Sequence, residues 1–237
     1  IASIRNQKYK NIEYIIVDGG SKDGTLDVIK KNSDIVSRYV SELDQGIFDA
    51  MNKGLSMSTG DCIGFLNSDD MFKDAYVLCD IANAFIRKSA DIVYGDLDFV
   101  CNYDEGSVIR HWRSGNFTSS KLGWGWMPPH PTFYISRELY EKVGGYNTKY
   151  QIAGDYDYIL RSFSYSEELK SVYISRVLIN MRWGGNSNQL NNLFHKSSED
   201  YQALRNHKIG GAGALFYKNF SKLSQFNLRK LPQIFNL

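Results

Sequence analysis

The stretch Gly60-Asp61-Cys62-Ile63-Gly64-Phe65-Leu66-Asn67-Ser68-Asp69-Asp70 decides the fold. It reads as a short buried strand over 62–66 that runs directly into two adjacent acids. In an open α/β sheet, ligands bind just past the carboxyl ends of the strands. Two carboxylates there, with Asn67 and Ser68 beside them, suit a hard divalent cation that keeps waters and takes phosphate oxygens as further ligands. Asn, Ser and Asp are equally favoured in turns and helix N-caps, so this stretch alone leaves both readings open.

Outward from it, strand and helix signals alternate. A β-branched run over 12–17 ends in the turn-rich Asp18-Gly19-Gly20-Ser21. A helix is expected over 25–31, a strand over 36–40 and a helix over 48–57. Beyond the 62–66 strand, residues 74–87 carry Val77, Ile81, Ala84 and Phe85 at helical spacing, and 91–96 reads as another strand. This rhythm predicts an α/β fold with a mostly parallel sheet flanked by helices. The second half reads as a small antiparallel addition. It has strands over 108–112, 132–135 and 172–174, helices over 137–143 and 155–163, and a stiff aromatic connection from Gly123 to Pro131. No repeat, low-complexity tract or linker marks a second independent domain.

The 237 residues suffice for one large α/β domain, and 43% hydrophobic with 23% charged residues is ordinary for a globular chain. A net charge of +2 says little about partners, and nothing in it calls for nucleic acid. Its distribution says more. After Asp200 no acid follows, while Arg205, Lys208, Lys218, Lys222, Arg229 and Lys230 do. Cys62, Cys79 and Cys101 are isolated and read as small core residues in a reducing compartment. No apolar run approaches the roughly 18–20 residues that span a bilayer.

Two more strand ends carry acids. Asp18-Gly19-Gly20-Ser21-Lys22-Asp23-Gly24-Thr25 has glycines that admit close backbone approach and opens a helix whose N-terminus favours a phosphate or sugar. It matches neither the Walker spacing nor the dinucleotide fingerprint. Ser41-Glu42-Leu43-Asp44-Gln45-Gly46 lies past the next strand. Asp18, Asp44 and the Asp69-Asp70 pair would then face one rim of the sheet, as a nucleotide-sugar with its metal requires.

In succession these three blocks, from Asn11 to Ser21, from Ser41 to Gly54 and from Gly60 to Asp70, closely resemble family 2 glycosyltransferases of the GT-A fold. The likeness is greatest to the small bacterial members that build cell-surface polysaccharides. The resemblance implies inverting transfer of a sugar from a nucleotide-diphosphate donor, a UDP-sugar foremost, with Mn²⁺ or Mg²⁺. It puts Asp70 on the metal, Asp69 near the donor ribose and Asp18 in the first nucleotide-binding loop, with Asp44 also on the donor side. Gly19 stands where many members have a second acid, and Asn67 where some have Asp. By the same likeness the chain enters mid-pattern, roughly twenty residues short of a strand and most of a helix.

Gly154-Asp155-Tyr156-Asp157 resembles the family's Glu-Asp block, with Asp155 on the catalytic-base position and Gly154 replacing the usual Glu. The chemistry needs a carboxylate beside the acceptor hydroxyl. An N-cap is the other reading of Asp155, and Asp157 points to a different helix face. His130 is either a substrate contact or a buried, hydrogen-bonded structural residue. Arg182-Trp183 resembles the end of a processive-synthase signature, but Ile179 stands where its Gln belongs. Gly184-Gly185-Asn186-Ser187 is expected to form a loop beside the site.

The expected organisation is a single GT-A domain over 1–210 and a basic amphipathic tail over 211–237. A helix over 215–226 would place Leu215, Phe216, Phe220, Leu223 and Phe226 on one side, and Lys218 and Lys222 on the other. Such a helix either packs on the domain or lies in an anionic membrane interface. Because acceptors in the family are often glycans or lipid-linked sugars, the expected location is cytoplasmic, peripheral at the inner face of the plasma membrane. The rival readings are a sugar nucleotidyltransferase and a catalytically inactive nucleotide-sugar-binding module.

Overall fold

A computed structural model of the chain describes residues 1–101, 107–183, 193–220 and 225. After a short helix α1 (Ala2–Arg5), the first half follows the expected alternation: β1 (Ile15–Asp18), α2 (Thr25–Lys31), β2 (Arg38–Ser41), α3 (Ile47–Met57) and β3 (Cys62–Gly64). β1 and β2 pair in parallel with Asp18 opposite Ser41, so both loops leave from one edge. There follow β4 (Asp70–Phe72), α4 (Val77–Lys88), the long β5 (Ile92–Val100), β6 (Val108–Trp112), α5 (Ser119–Leu122), β7 (Tyr134–Ser136), α6 (Arg137–Val143) and α7 (Gly154–Phe163). β8 (Ser171–Arg182), α8 (Leu193–Asn206) and α9 (Ala212–Phe220) complete the described elements.

The α/β class stands, but the sheet is mixed where the sequence reading made it mostly parallel. β1 and β2 form a two-stranded sheet of their own, and the other six strands run in the order β3-β7-β5-β8-β4, with β6 also on β5. Among the described strands, only β1–β2 and β5–β8 pair in parallel; β3–β7, β4–β8, β5–β6 and β5–β7 are antiparallel. The reason lies in the connections. A βαβ crossover returns the chain parallel, whereas β6 and β7 come back on the free edge of β5 without one.

Apolar side chains on both faces of β5 build two cores. Ile92 and Tyr94 pack with Ile135, Ile159 and Phe163 on the α7 side. Val93, Leu97 and Phe99 pack with Val77, Ile81 and Ile179 on the α4 side. β8 is far longer than its sequence signal because the register with β5 shifts from Gly95↔Ile174 to Asp96↔Val177, so Ser175 and Arg176 bulge without ending the strand. No helix among the described residues is long and apolar enough to cross a membrane.

Of the two packings left open for this helix, the described part, α9, does not turn its phenylalanines onto the domain. Lys218 and Ala214 are buried, while Phe216 and Phe220 face outward. The lysine turns in because Asp200 of α8 is itself buried and lies 2.7 Å from its ammonium. The ammonium also sits 3.2 Å from the centre of the Tyr156 ring. Gly125 makes the approach possible. It holds φ +76°, and a Cβ there would meet the Ala214 carbonyl oxygen at 2.5 Å and the Lys218 Cβ at 2.8 Å. We therefore expect Gly125→Ala to cost about 1–3 kcal/mol in chemical denaturation and to expose α9 to proteolysis. Wild-type stability and cleavage in that variant would contradict this packing.

Candidate functional site

The loop after β3 is built around Asp70. The Asp70 amide donates to the Asn67 carbonyl at 3.1 Å, and the Asn67 side-chain amide donates to Asp70 Oδ2 at 2.9 Å. Pairing of Asp70 with Met181 on β8 then draws the side chain out of water, to 7% exposure. Its second oxygen, Oδ1, is buried with no hydrogen-bond partner. Burial pushes its carboxyl up to about 6, with the neighbouring Asp69 adding to the shift. Asp69 itself is exposed.

An orphaned carboxylate oxygen of this kind fits a divalent cation. Among the described residues no group of three or more His, Cys, Asp or Glu side chains could hold a metal by itself. The donor set therefore suits a cation that completes its shell with water and phosphate oxygens, the habit of Mg²⁺ and Mn²⁺ rather than Zn²⁺.

The acids of the first two loops have different surroundings. Asp18 is buried and accepts from the hydroxyls of Ser21 and Ser41 and from the amides of Ser21 and Gly20. The Ser21 hydroxyl foremost, then that of Ser41, holds its carboxyl below the usual range. Its visible work is to order the loop. Asp44 accepts from the Gly46 amide at 2.9 Å, and its Oδ2 lies 2.5 Å from where a Cβ on Gly19 would be. The two loops thus touch through a missing side chain. Gly54 of α3 lies between β1 and the loop before Asp70, since a Cβ there would lie 3.6 Å from Val17 and 4.0 Å from Phe65.

α3 also connects the rim to Asp155. Gly154 opens α7 so tightly against α3 that a Cβ there would sit 2.6 Å from the Phe48 ring. Asp155 follows, half-buried, its Oδ1 accepting from the Tyr156 amide at 2.7 Å. It is not the N-cap; that position is Ala153, which has no capping side chain. Asp157 is buried and committed, 2.9 Å from His207 Nε2 and 3.5 Å from Arg161.

His130 is buried in an aromatic nest beside this helix. Its Nε2 lies 2.7 Å from the Tyr146 hydroxyl, and its ring stacks on Phe65 at 6.0 Å. Desolvation holds its pKa down, against the opposing charge of Asp155, and keeps the ring neutral. Phe65 meets Tyr146 edge-on at 5.5 Å, so one aromatic chain ties the Asp70 loop to the start of α7.

Sequence reasoning missed Glu199. This buried carboxylate of α8 accepts from the amides of Gln151, Ile152 and Ala153, each at 2.8 Å, and lies 3.0 Å from His195. It pins the three amides that lead into α7, while the first-turn amide of Tyr156 is taken by Asp155 itself. The available signal was the pair Glu199-Asp200, the last acids in a chain that then turns wholly basic. The loop expected at Gly184-Gly185-Asn186-Ser187 lies outside the described residues.

Residues 1–152 match the family model described as glycosyl transferase family 2. A PGL/p-HBAD biosynthesis glycosyltransferase of Mycobacterium bovis (strain BCG / Pasteur 1173P2) is 32% identical over 194 residues, covering 79% of this chain and 72% of that protein. Among solved structures, S. aureus TarS 1-349 in complex with UDP-GlcNAc aligns at TM-score 0.65 and 14% identity, over 88% of this chain and 60% of that one. Mannosyltransferase PcManGT from Pyrobaculum calidifontis, in complex with GDP-Man and Mn²⁺, aligns at TM-score 0.57 and 19% identity, over 87% and 57%. At these identities the structures share the fold, and this chain spans less than two thirds of each.

Asp70 gives the site a measurable signature. A carboxyl raised from 3.8 to about 6 favours the protonated form in the folded state. Without divalent cations, stability should therefore fall as pH rises from about 4 to about 6 and stay low above. Asp70→Asn keeps the shape and removes the charge, so at neutral pH with chelator it should be the more stable protein, by on the order of 2 kcal/mol. That advantage should vanish near pH 4 in urea titrations. An advantage that ignores pH, or none at all, would mean that Oδ1 is satisfied.

Proposed function

The chain belongs to glycosyl transferase family 2, and on that premise we propose an inverting transfer from a nucleotide-diphosphate sugar, a UDP-sugar foremost, to a hydroxyl of a glycan or lipid-linked acceptor. The product would enter cell-surface polysaccharide. That the protein is a glycosyltransferase follows from the family; donor, acceptor and stereochemistry are our reading. The observation that carries it is the buried, unpartnered Oδ1 of Asp70 at the end of the β3 loop.

Asp18 orders the first loop so that its backbone can meet the nucleoside, and Asp44 accepts from the base or ribose across Gly19. Asp69, exposed beside them, takes the ribose. Asp70, with Asn67 orienting its other oxygen, holds Mn²⁺ or Mg²⁺. A divalent cation there supplies charge neutralisation for the leaving nucleoside diphosphate. Asp155 accepts the proton of the acceptor hydroxyl as its oxygen bonds to the anomeric carbon and the bond to the diphosphate breaks. A single displacement of this kind inverts the carbon and needs no covalent sugar-enzyme intermediate. His130 stays a neutral partner of Tyr146 and walls the acceptor side.

A lipid-linked acceptor would put this chemistry on the cytoplasmic face of the plasma membrane, with the protein peripheral to it. The second reading is an inactive nucleotide-sugar-binding module. It would bind donor in the presence of Mn²⁺ but turn nothing over.

Thermal-shift screening of UDP- and GDP-sugars with Mn²⁺, followed by NMR of the product's anomeric configuration, tests the reaction. Asp155→Asn should lose on the order of a hundredfold or more in turnover with donor binding little changed. Undiminished turnover would move the base elsewhere. Asp70→Ala should lose the Mn²⁺-dependent donor shift, and a variant that binds and reacts without the cation would overturn the metal assignment.

A further inference from the structure

The inward turn of Lys218 leaves a patch of aromatic rings on the outside of α9. Phe216 is 72% exposed, Tyr217 51% and Phe220 61%. Trp124, 60% exposed in the connection after α5, joins them. The rings meet in two pairs. Trp124 meets Tyr217 at 5.8 Å, and Phe216 stacks on Phe220 at 5.9 Å. Amphipathic helices normally bury such a face against their own domain. Here the domain side of the helix is taken by an ion pair, so the aromatic side is left to meet something else.

The rim of the patch is basic. The turn between α8 and α9 abuts the residue before Trp124, since a Cβ on Gly123 would lie 3.3 Å from the Ile209 carbonyl oxygen. Arg205 and Lys208, both exposed, flank that turn. In the sequence after Phe220, Lys222, Arg229 and Lys230 follow with no acid.

We infer that this face docks on an anionic bilayer, with Trp124, Phe216, Tyr217 and Phe220 entering the interface and Arg205 and Lys208 meeting headgroups. Aromatic rings with one polar edge favour the headgroup level of a bilayer, and basic residues contribute about 1 kcal/mol each at an anionic leaflet. A second copy of the chain fits less well, because isologous pairing would bring the like-charged rims together. The contact itself does not depend on the proposed reaction. Its consequence does: α9 holds Tyr156, the residue after Asp155, so docking would fix how the proposed base faces a lipid-linked acceptor.

Co-sedimentation of the full chain with phosphatidylglycerol-containing vesicles, against phosphatidylcholine alone, tests the inference. Wild type should bind the anionic vesicles, release with salt, and show a blue shift of tryptophan emission that Trp124→Phe reduces. Phe216→Ser with Phe220→Ser should weaken binding about tenfold or more. Both positions are exposed, so an unchanged melting temperature would confirm an intact fold. Arg205→Gln with Lys208→Gln should weaken binding and flatten its salt dependence. Equal binding by the serine variant, no preference for anionic lipid, or wild-type dimerisation that the serine variant loses would each overturn the inference. Donor binding measured on the same variants should stay at the wild-type level, so a failure here is distinguishable from a failure of the glycosyltransferase reading.

Discussion

A carboxylate withdrawn from water has to be met by donors or by a cation, and that constraint organises this protein. Asp18 is met by two serines and two amides, and thereby shapes the first loop. Glu199 is met by three backbone amides, and thereby joins α8 to the start of α7. Asp157 is met by His207, and Asp200 by Lys218, which brings α9 onto the same pair of helices. Asp96 accepts from the Ser114 amide and the Tyr173 hydroxyl and so fixes β5 to its flanks. Against this background an oxygen of Asp70 stands without any such partner. It is this acid that we propose holds the cation.

The division of labour around α7 follows from the same rule. A helix start needs acceptors for its first amides. In many helices the residue that supplies them belongs to the helix itself. Here Glu199 reaches across from α8 to the amides just before the helix, and Asp155, within the first turn, takes the Tyr156 amide with its Oδ1. Gly154 contributes by absence, because any side chain there would collide with Phe48 and push α7 away from α3.

Much of this was legible beforehand, and the failures have physical causes. The alternating first half was readable because each strand there is a short β-branched run that stops at turn residues. Asp70 was read as the end of a loop, whereas it also begins β4; a strand of three residues carries no period to detect. β8 was read at a quarter of its twelve residues because the bulge at Ser175 and Arg176 breaks the alternation. α8 went unread because its buried side chains include Glu199 and Asp200, which pattern reasoning assigns to solvent. The orientation of α9 stayed open between two readings for the same reason: the lysine in its middle follows a buried acid, not the polar side of a helical wheel. Periodicity finds faces made by the hydrophobic effect and cannot find faces made by ion pairing.

Residues 19 and 44 compete for one volume. The carboxylate of Asp44 occupies the space that a side chain on Gly19 would claim. The two positions therefore share one seat, which either strand can fill but not both at once. In a set of related chains they would carry meaning as a pair: an acid gained at the first is tolerable only if the second retreats. A comparison column by column would score Gly19 as a loss. Read as one seat, the bare backbone at Gly19 is the room that the Asp44 carboxylate needs.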